Sequence, residues 1–430
     1  MELGGIGPAM RLGPVEFAER LNLVTGDNGL GKTFLLDIGW WALTGTWVAR
    51  EPWPRNETTR EEPPFISSTV AGKTTDAPVH SAYDFDARKW SYPAGRPPMP
   101  GLVLYFRGDG CFSLWDPAQH YWTKPPADER LDDAFHFTLD SVWDGIMGAG
   151  GQRICRGLIE DWVTWQQTGG IEFQRFQKVL EKLSPSPKEL LTSGKPLAAL
   201  ALDATDRRQH PTLQFGHGTV PAVLASAGMK RILSLAYLVV WAWQGHELAS
   251  KARKQDPEQR MVILFDEPET HLHPQWQRRI LPALFAALAE LRNDLRAQIL
   301  VATHSPLILA SVESLFDAEK DRLFHLEICS DEPPTNEMEE FLFEGPRVEM
   351  REVPFAKEGD ASAWLSSDVF GLTQARSLEA ERAITAAQQF QLGSADENPE
   401  GLRTRGEIDD ELKKVLAAED PFWPRWVILP

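Results

Sequence analysis

Apolar residues first crowd together at residues 21–24, "LNLV", where the imperfect alternation of "MRLGPVEFAER" ends in a buried-strand signal. From about Leu224 a regular order sets in. A helix is followed by the strand "MVILFDEPE", the helix "PQWQRRILPALFAALAELRNDL" and the strand "AQILVATHS". Strands alternating with helices predict parallel βαβ units, hence an α/β fold. Upstream, "GLVLYFRGDGCFSLWD" gives two strand-like runs around "RGDG", a hairpin signal. "RICRGLIEDWVTWQQ" and "IEFQRFQKVLEKLS" carry apolar residues at helical spacing. The apolar run from Ile232 to Trp243 is too short to span a bilayer and starts directly after Lys230 and Arg231. It predicts a buried helix and no membrane role.

Residues 50–100 are rich in Pro, Trp, Thr and Arg without a helical period, so they are expected to form irregular loop. Residues 331–344 hold six carboxylates and no Lys or Arg, the composition of a solvated acidic surface. Neither heptads nor a short repeat is present, which excludes a long coiled-coil arm.

Composition narrows the function. Hydrophobic residues make up 42% and charged residues 25% of the 430, as in ordinary globular proteins. The formal net charge of −18 argues against a fold whose main task is to blanket a nucleic-acid backbone. Cys111, Cys155 and Cys329 lie far apart and form no CxxC pair, which fits a reducing cytosol better than a disulfide framework or a structural zinc site. Nothing near Met1 resembles a signal peptide, so a cytoplasmic location is expected.

Four elements carry candidate chemistry. Gly26, Asp27, Asn28, Gly29, Leu30, Gly31, Lys32 and Thr33 match the P-loop pattern G-x-x-x-x-G-K-[ST]. Its glycines let main-chain N–H groups turn toward phosphate oxygens at the start of a helix. Lys32 is expected to reach the β- and γ-phosphates of ATP, and the Thr33 hydroxyl to ligate Mg2+. Asp266 and Glu267 end an apolar strand, where open parallel sheets bind ligands. Asp266 suits a second position beside Mg2+, and Glu267 suits a general base polarising the attacking water. His304, at the end of the next strand, can sense a γ-phosphate. Ser226 and Gly228 begin a long helix whose N-terminus could bind an anion. His271 and His273 are spaced i, i+2, off a common helix face and without an obvious third ligand. They read as a helix start at Pro274 rather than a metal site.

Taken in order, P-loop, Ser-x-Gly helix start, Asp-Glu strand and strand-end histidine resemble the ATP-binding-cassette (ABC) head. In that superfamily two heads sandwich two ATP molecules, and the signature Ser and Gly of one contact the γ-phosphate held by the other. "LASAGMKR" is similar to the looser signature of the chromosome-maintenance and RecF-like branch. "DEPETHLHPQWQ" together with "THSP" resembles bacterial ATPases of the OLD (overcoming lysogenisation defect) type. "GLIEDWVTWQQ", "RSLEAERAI" and "DPFWPRW" look like segments of standalone anti-phage ATPases of the Septu kind, which work with an HNH nuclease. The resemblance implies an ABC-type head with a mixed or parallel sheet, divided into residues 1–50 with the P-loop and residues 186–330 with the remaining motifs. A loop-rich insertion at 51–185 and an acidic extension with an aromatic tail at 331–430 complete it.

The residues after His304 contain no Asp-x-Asp pair of the kind a Toprim nuclease needs, and no HNH histidine cluster is visible. The implied function is therefore a cytoplasmic Mg2+-dependent ATPase that dimerises head to head on ATP and controls a separate nuclease in antiviral defence. DNA would be reached through that partner. The aromatic tail, with Phe422, Trp423 and Trp426, is expected either to dock the partner or to fold back onto its own head. Two rivals stand beside this reading. One is a RecF-like repair ATPase binding DNA through Arg207-Arg208, Lys251-Arg253-Lys254 and Arg278-Arg279; the other is a transporter's ATP-binding subunit. The glutamine expected to sense Mg2+ could be Gln152 or Gln166.

Overall fold

Eight strands form one mixed sheet in the larger part of the chain. In chain order they are β1 (Leu21–Gly26), β2 (Leu102–Phe106), β3 (Phe112–Trp115), β4 (Phe135–Phe137), β5 (Arg260–Asp266), β6 (Arg296–Ala302), β7 (Asp321–Cys329) and β8 (Arg347–Val353). They lie side by side as β8-β7-β1-β6-β5-β2-β3-β4. The pairs from β7 through β1, β6 and β5 to β2 are parallel. The outer pairs, β7 with β8, β2 with β3 and β3 with β4, are antiparallel. The chain therefore has the mixed α/β architecture read from its alternating strands and helices.

This computed structural model describes residues 1–430 except 49, 57, 72–75, 92–98, 121–133, 149–150, 199–205, 216–217, 330–346 and 429–430. It divides into two units, Met1–Lys357 and Glu358–Pro430. The acidic stretch 331–344 lies outside the described residues.

Helix α1 (Lys32–Thr44) follows the P-loop and is wedged between two sheets. Leu36 and Trp40 pack on Val103, Tyr105, Val262, Leu264 and Leu300 of the main sheet. Leu35, Ile38 and Trp41 pack instead with Leu3, Ile6, Ile66 and Trp90. Those partners belong largely to an antiparallel five-stranded sheet built from Glu2–Ile6, Ala9–Leu12, Phe65–Val70, Ala77–Asp84 and Lys89–Trp90. Burying both faces explains why the helix sequence, "KTFLLDIGWWALT", has no polar stripe. Trp40 and Trp41 are fully enclosed, and losing such a ring costs about 3–5 kcal/mol. Together they fix where the helix begins, and so where the loop before it sits.

Two expectations change here. Residues 50–100 are not uniformly irregular: Phe65–Val70 and Ala77–Asp84 pair with each other, and the first also pairs with Glu2–Ile6. Ser and Thr occupy many of their positions, so the alternation that marks a strand is faint, yet Ile66, Val79 and Tyr83 are buried. The stretch 51–185, expected as an insertion, also supplies β2, β3 and β4 to the main sheet. It further holds α2 (Leu158–Thr168) and α3 (Ile171–Lys182). The long apolar helix α4 (Ala227–Ala252) is buried along most of its length, as its sequence requires, and α5 (Ile280–Leu291) links β5 to β6.

The unit Glu358–Pro430 has its own small core. Helices α6 (Leu378–Gln391), α7 (Arg405–Val415) and α8 (Trp423–Ile428) bury Ile384, Ala387, Ile408, Leu412, Phe422 and Trp426 together. Ser377 caps α6, and Thr404 with Glu407 forms a capping box on α7. The aromatic tail is thus neither irregular nor free. Phe422 and Trp426 are only 5% and 3% exposed, so they plug their own helical unit rather than offer anchors to a partner. Trp426→Ala should remove about 3–5 kcal/mol from that unit. Hydrogen exchange should then show lost protection in α6–α8 with β1, β5 and β6 unchanged; retained protection in α6–α8 would contradict the packing.

Candidate functional site

Strand register brings the motifs together. Asp266 of β5 pairs with Ala302 of β6, and Ala302 pairs with Val24 of β1. The ladder runs one residue further: the Glu267 N–H donates to the Ala302 carbonyl at 2.9 Å, and the Thr303 N–H to the Val24 carbonyl at 3.0 Å. Thr25-Gly26, Glu267 and Thr303-His304 therefore leave three adjacent strands at one level, at their carboxyl ends.

Gly26, Gly29 and Gly31 have φ of 138°, 82° and 95°, which only glycine adopts without strain. A Cβ on Gly26 would also lie 2.4 Å from the Leu326 carbonyl oxygen. No side chain caps α1, so the N–H groups of its first turn lack partners and present a positive end. Lys32, 5% exposed, doubles back and donates to the carbonyls of Gly26 at 2.6 Å and Asp27 at 2.8 Å. Burial pushes its pKa down to about 8, against the pull of Glu267, Asp27, Asp266 and Glu269.

The Thr33 hydroxyl donates to Asp266 Oδ2 at 2.9 Å, joining the P-loop helix to the Asp-Glu strand. Asp266 is 4% exposed, and burial raises its pKa to about 6 although Thr33 stabilises the charge. Glu267 has φ of 44°, a left-handed turn that directs the chain away from the sheet. Its Oε2 accepts from the Thr270 hydroxyl at 3.1 Å, and its Oε1 lies 3.7 Å from His304 Nε2. Burial and then Lys32 push the His304 pKa down, so its imidazole is neutral at neutral pH.

Sequence reasoning missed three contributors. Glu269 accepts the Thr303 hydroxyl at 2.9 Å and the His304 N–H at 2.7 Å. Arg231 of α4 donates to the carbonyls of Gly108, Asp266 and Glu267 at 3.1, 3.3 and 2.8 Å. Gly108, in the "RGDG" hairpin, leaves room beside both acids: a Cβ there would stand 3.4 Å from Asp266 Oδ2 and 3.5 Å from Glu267 Oε2. All three sit inside strings the sequence offers, "EPE", "GMKR" and "RGDG", but contact alone reveals their partners.

The Ser226 and Gly228 turn stands elsewhere on the same unit. Ser226 is exposed and caps α4, accepting from the Met229 N–H at 3.3 Å. Gly228 is buried under the His271 carbonyl, which a Cβ would approach to 2.5 Å. Among the contacts of the described residues, none joins Ser226 to the P-loop residues 26–33. His273 caps Pro274–Gln277, its Nδ1 accepting from the Gln275 N–H at 3.3 Å. Gln166 donates to the Gly194 carbonyl at 2.8 Å and Gln152 is exposed, so neither touches Thr33 or Asp266. Of the basic clusters, Arg208 is held by Asp206 and Asp144, and Arg279 by the Pro185 carbonyl. Among the described residues no set of three or more His, Cys, Asp or Glu could hold a metal unaided, and no helix is long and apolar enough to cross a membrane.

Residues 185–310 match the family described as "AAA domain, putative AbiEii toxin, Type IV TA system". A stretch of 54 residues is 39% identical to Protein ea59 of Escherichia phage lambda, covering 13% of this chain and 10% of that protein. The match thus spans about a tenth of the length of this curated relative. Among solved structures, the SmcHead bound to the C-winged helix domain of ScpA is similar at 14% identity and a TM-score of 0.41, covering 82% of this chain and 96% of that one. The SMC head domain from Thermotoga maritima gives 13% and 0.37, covering 76% and 94%. The recombination mediator protein RecF with ATPrS gives 14% and 0.33, covering 75% and 94%. At such scores the geometry of the site, not these likenesses, carries the functional reading.

Burial of Asp266 has a pH signature. Its pKa rises on folding from 3.8 to about 6. The folded chain therefore binds more protons than the unfolded one between those values, and stability falls as pH rises through them. The penalty is full above pH 6 and is on the order of 2–3 kcal/mol. Without ligands, Asp266→Asn should melt higher than wild type at pH 7.5, with the gain vanishing near pH 4. A lower melting temperature for Asp266→Asn at pH 7.5 would contradict the buried, uncompensated carboxylate.

Proposed function

We propose that the chain is a Mg2+-dependent ATPase of the ABC type. The observation that carries this reading is the 2.9 Å contact between the Thr33 hydroxyl and Asp266, which joins an uncapped P-loop helix to an Asp-Glu strand end. Hard oxygen donors at that spacing suit Mg2+, with further oxygens coming from phosphate and water. The raised pKa of Asp266 marks a carboxylate lacking a counter-charge, which is what a cation there would supply.

The residues then divide the work. Gly26, Gly29 and Gly31 shape the loop, and the N–H groups of Asp27, Asn28, Leu30 and Lys32 face the phosphates. Lys32 leaves the Gly26 and Asp27 carbonyls for the β- and γ-phosphate oxygens. Thr33 and Asp266 would hold Mg2+, which neutralises charge on the phosphate oxygens. Glu267, half-exposed beside the strand ends, polarises the attacking water, and His304 contacts the γ-phosphate from the neighbouring strand. Ser226, exposed on its own helix cap, completes the site of a second copy together with Gly228, giving a two-fold head-to-head dimer.

The biological setting we assign is cytoplasmic antiviral defence, in which ATP turnover regulates a separate nuclease of the HNH kind that engages DNA. The motif string "DEPETHLHP" with "THSP" supports it, as does the −18 net charge, which disfavours extensive DNA contact by this chain. The alternative, a RecF-like repair ATPase binding DNA itself, has the exposed Lys251 and Lys254 in its favour, while Arg208 and Arg279 are engaged within the fold.

Glu267→Gln should bind Mg-ATP yet turn it over at least ~100-fold more slowly, while Lys32→Ala should lose nucleotide affinity. Wild-type turnover by Glu267→Gln would refute the base assignment. Light scattering in the Glu267→Gln background should show an ATP-dependent dimer that Ser226→Arg abolishes. Full ATPase activity in Ser226→Arg would refute the shared site.

A further inference from the structure

Glu267 and His304 follow the ends of two neighbouring strands, and their side chains stop 3.7 Å apart. The main chain of Glu267 is held by its own N–H on the Ala302 carbonyl at 2.9 Å and by Arg231 on its carbonyl at 2.8 Å, which leaves the strand end beyond Ala302 to be fixed. Glu267 sits at φ of 44°, a conformation that costs a non-glycine residue about 1–2 kcal/mol. His304 follows the last residues of β6, beyond the ladder hydrogen bonds that hold the strand.

One side chain bridges the two. Glu269 lies on the turn that Glu267 begins, a turn closed by the Thr270 N–H on the Glu267 carbonyl at 3.1 Å and the Leu272 N–H on the Glu269 carbonyl at 2.9 Å. Its Oε1 reaches across to β6 and accepts both the Thr303 hydroxyl at 2.9 Å and the His304 N–H at 2.7 Å. The Thr303 hydroxyl in turn accepts from the Ser305 N–H at 3.0 Å, so the contact grips three consecutive residues. Its Oε2 is enclosed and has no hydrogen-bond partner. A half-buried acid that encloses one oxygen without a partner, for two bonds to the strand end, needs a reason beyond capping. One oxygen that takes donors from two consecutive residues, with the third held through the Thr303 hydroxyl, makes this a stiff tie.

We propose that Glu269 is a positioning residue: it fastens the Glu267 turn to the Thr303-His304 strand end and so sets the separation of the water-polarising carboxylate and the γ-phosphate-sensing imidazole. This rests on the ATPase reading above and adds to it a residue that touches neither nucleotide nor metal. Its effect is transmitted through His304. A displacement of about 1 Å in a reacting group can cost on the order of 100-fold in rate.

The test is a double-mutant cycle on the full chain, with Glu269→Ala, His304→Ala and the pair, alongside Glu269→Gln. Steady-state ATPase, ATP affinity and melting temperature are measured for each. Glu269→Ala should lower kcat about 10- to 100-fold with KM changed about 2-fold or less. Glu269→Gln should recover kcat to within about 3-fold of wild type, because its amide oxygen accepts the same two bonds. The double variant should be no slower than His304→Ala alone, since both changes disable one device. A merely structural role would instead lower the melting temperature and multiply the two losses. Costs that multiply, a Glu269→Gln as slow as Glu269→Ala, or an unchanged kcat in Glu269→Ala would each overturn the proposal while leaving the ATPase reading intact. Wild-type protein with no ATP turnover removable by Lys32→Ala would overturn the ATPase reading itself, and this proposal with it.

Discussion

The parallel register of β1, β6 and β5 is the constraint on which everything else rests. Asp266 stands opposite Ala302, and Ala302 opposite Val24, so three loops begin at a common level. A slip of one residue in either pair would turn every side chain to the other face. It would also carry Asp266 away from Thr33. The hydrophobic faces prevent this: Leu264, Leu300 and Ala302 share one cluster with Leu36 and Trp40 of α1, so the helix that carries Lys32 and Thr33 packs only on the correct register. Packing in the core and geometry at the strand ends are one fact seen at two levels.

Electrostatics at those strand ends is unbalanced by design of the residues present. Asp266, Glu267 and Glu269 gather there, and burial raises the pKa of the first and third. Lys32 and Arg231 face them, but Lys32 is folded onto main-chain carbonyls and Arg231 donates to three others. Neither cation makes an ion pair with the acids. Such an arrangement stores unfavourable free energy that a divalent cation and a polyphosphate can relieve together, each supplying charge the other site half lacks. Affinity for either alone should accordingly be weaker than for the pair.

How much of this the sequence discloses depends on whether the information is local. The loop of residues 26–33, the Asp-Glu strand end and the strand-end histidine are contiguous strings legible from their spacing, and the register places them together. The "RGDG" hairpin is legible as a hairpin, but its strand β2 pairs with β5, far away in sequence, so residues 51–185 look like an insertion until that pairing is known. The strands around Ile66 and Val79 are masked by Ser and Thr. Glu269, Arg231 and Gly108 act through contacts between strings, which no single string encodes. Phe422 and Trp426 look like docking anchors because aromatic residues flanked by prolines suggest an exposed tail; the α6 and α7 faces that cover them lie in segments of unremarkable composition.

A crystal structure of the full chain with Mg2+ and a non-hydrolysable ATP analogue tests the central claim most directly. The account predicts phosphates in the loop of residues 26–33, the Lys32 ammonium moved from the Gly26 and Asp27 carbonyls onto phosphate oxygens, and Mg2+ bound between the Thr33 hydroxyl and Asp266. Nucleotide bound away from this loop, or phosphates in place with Lys32 still on its own main chain and no metal at Asp266, would contradict it.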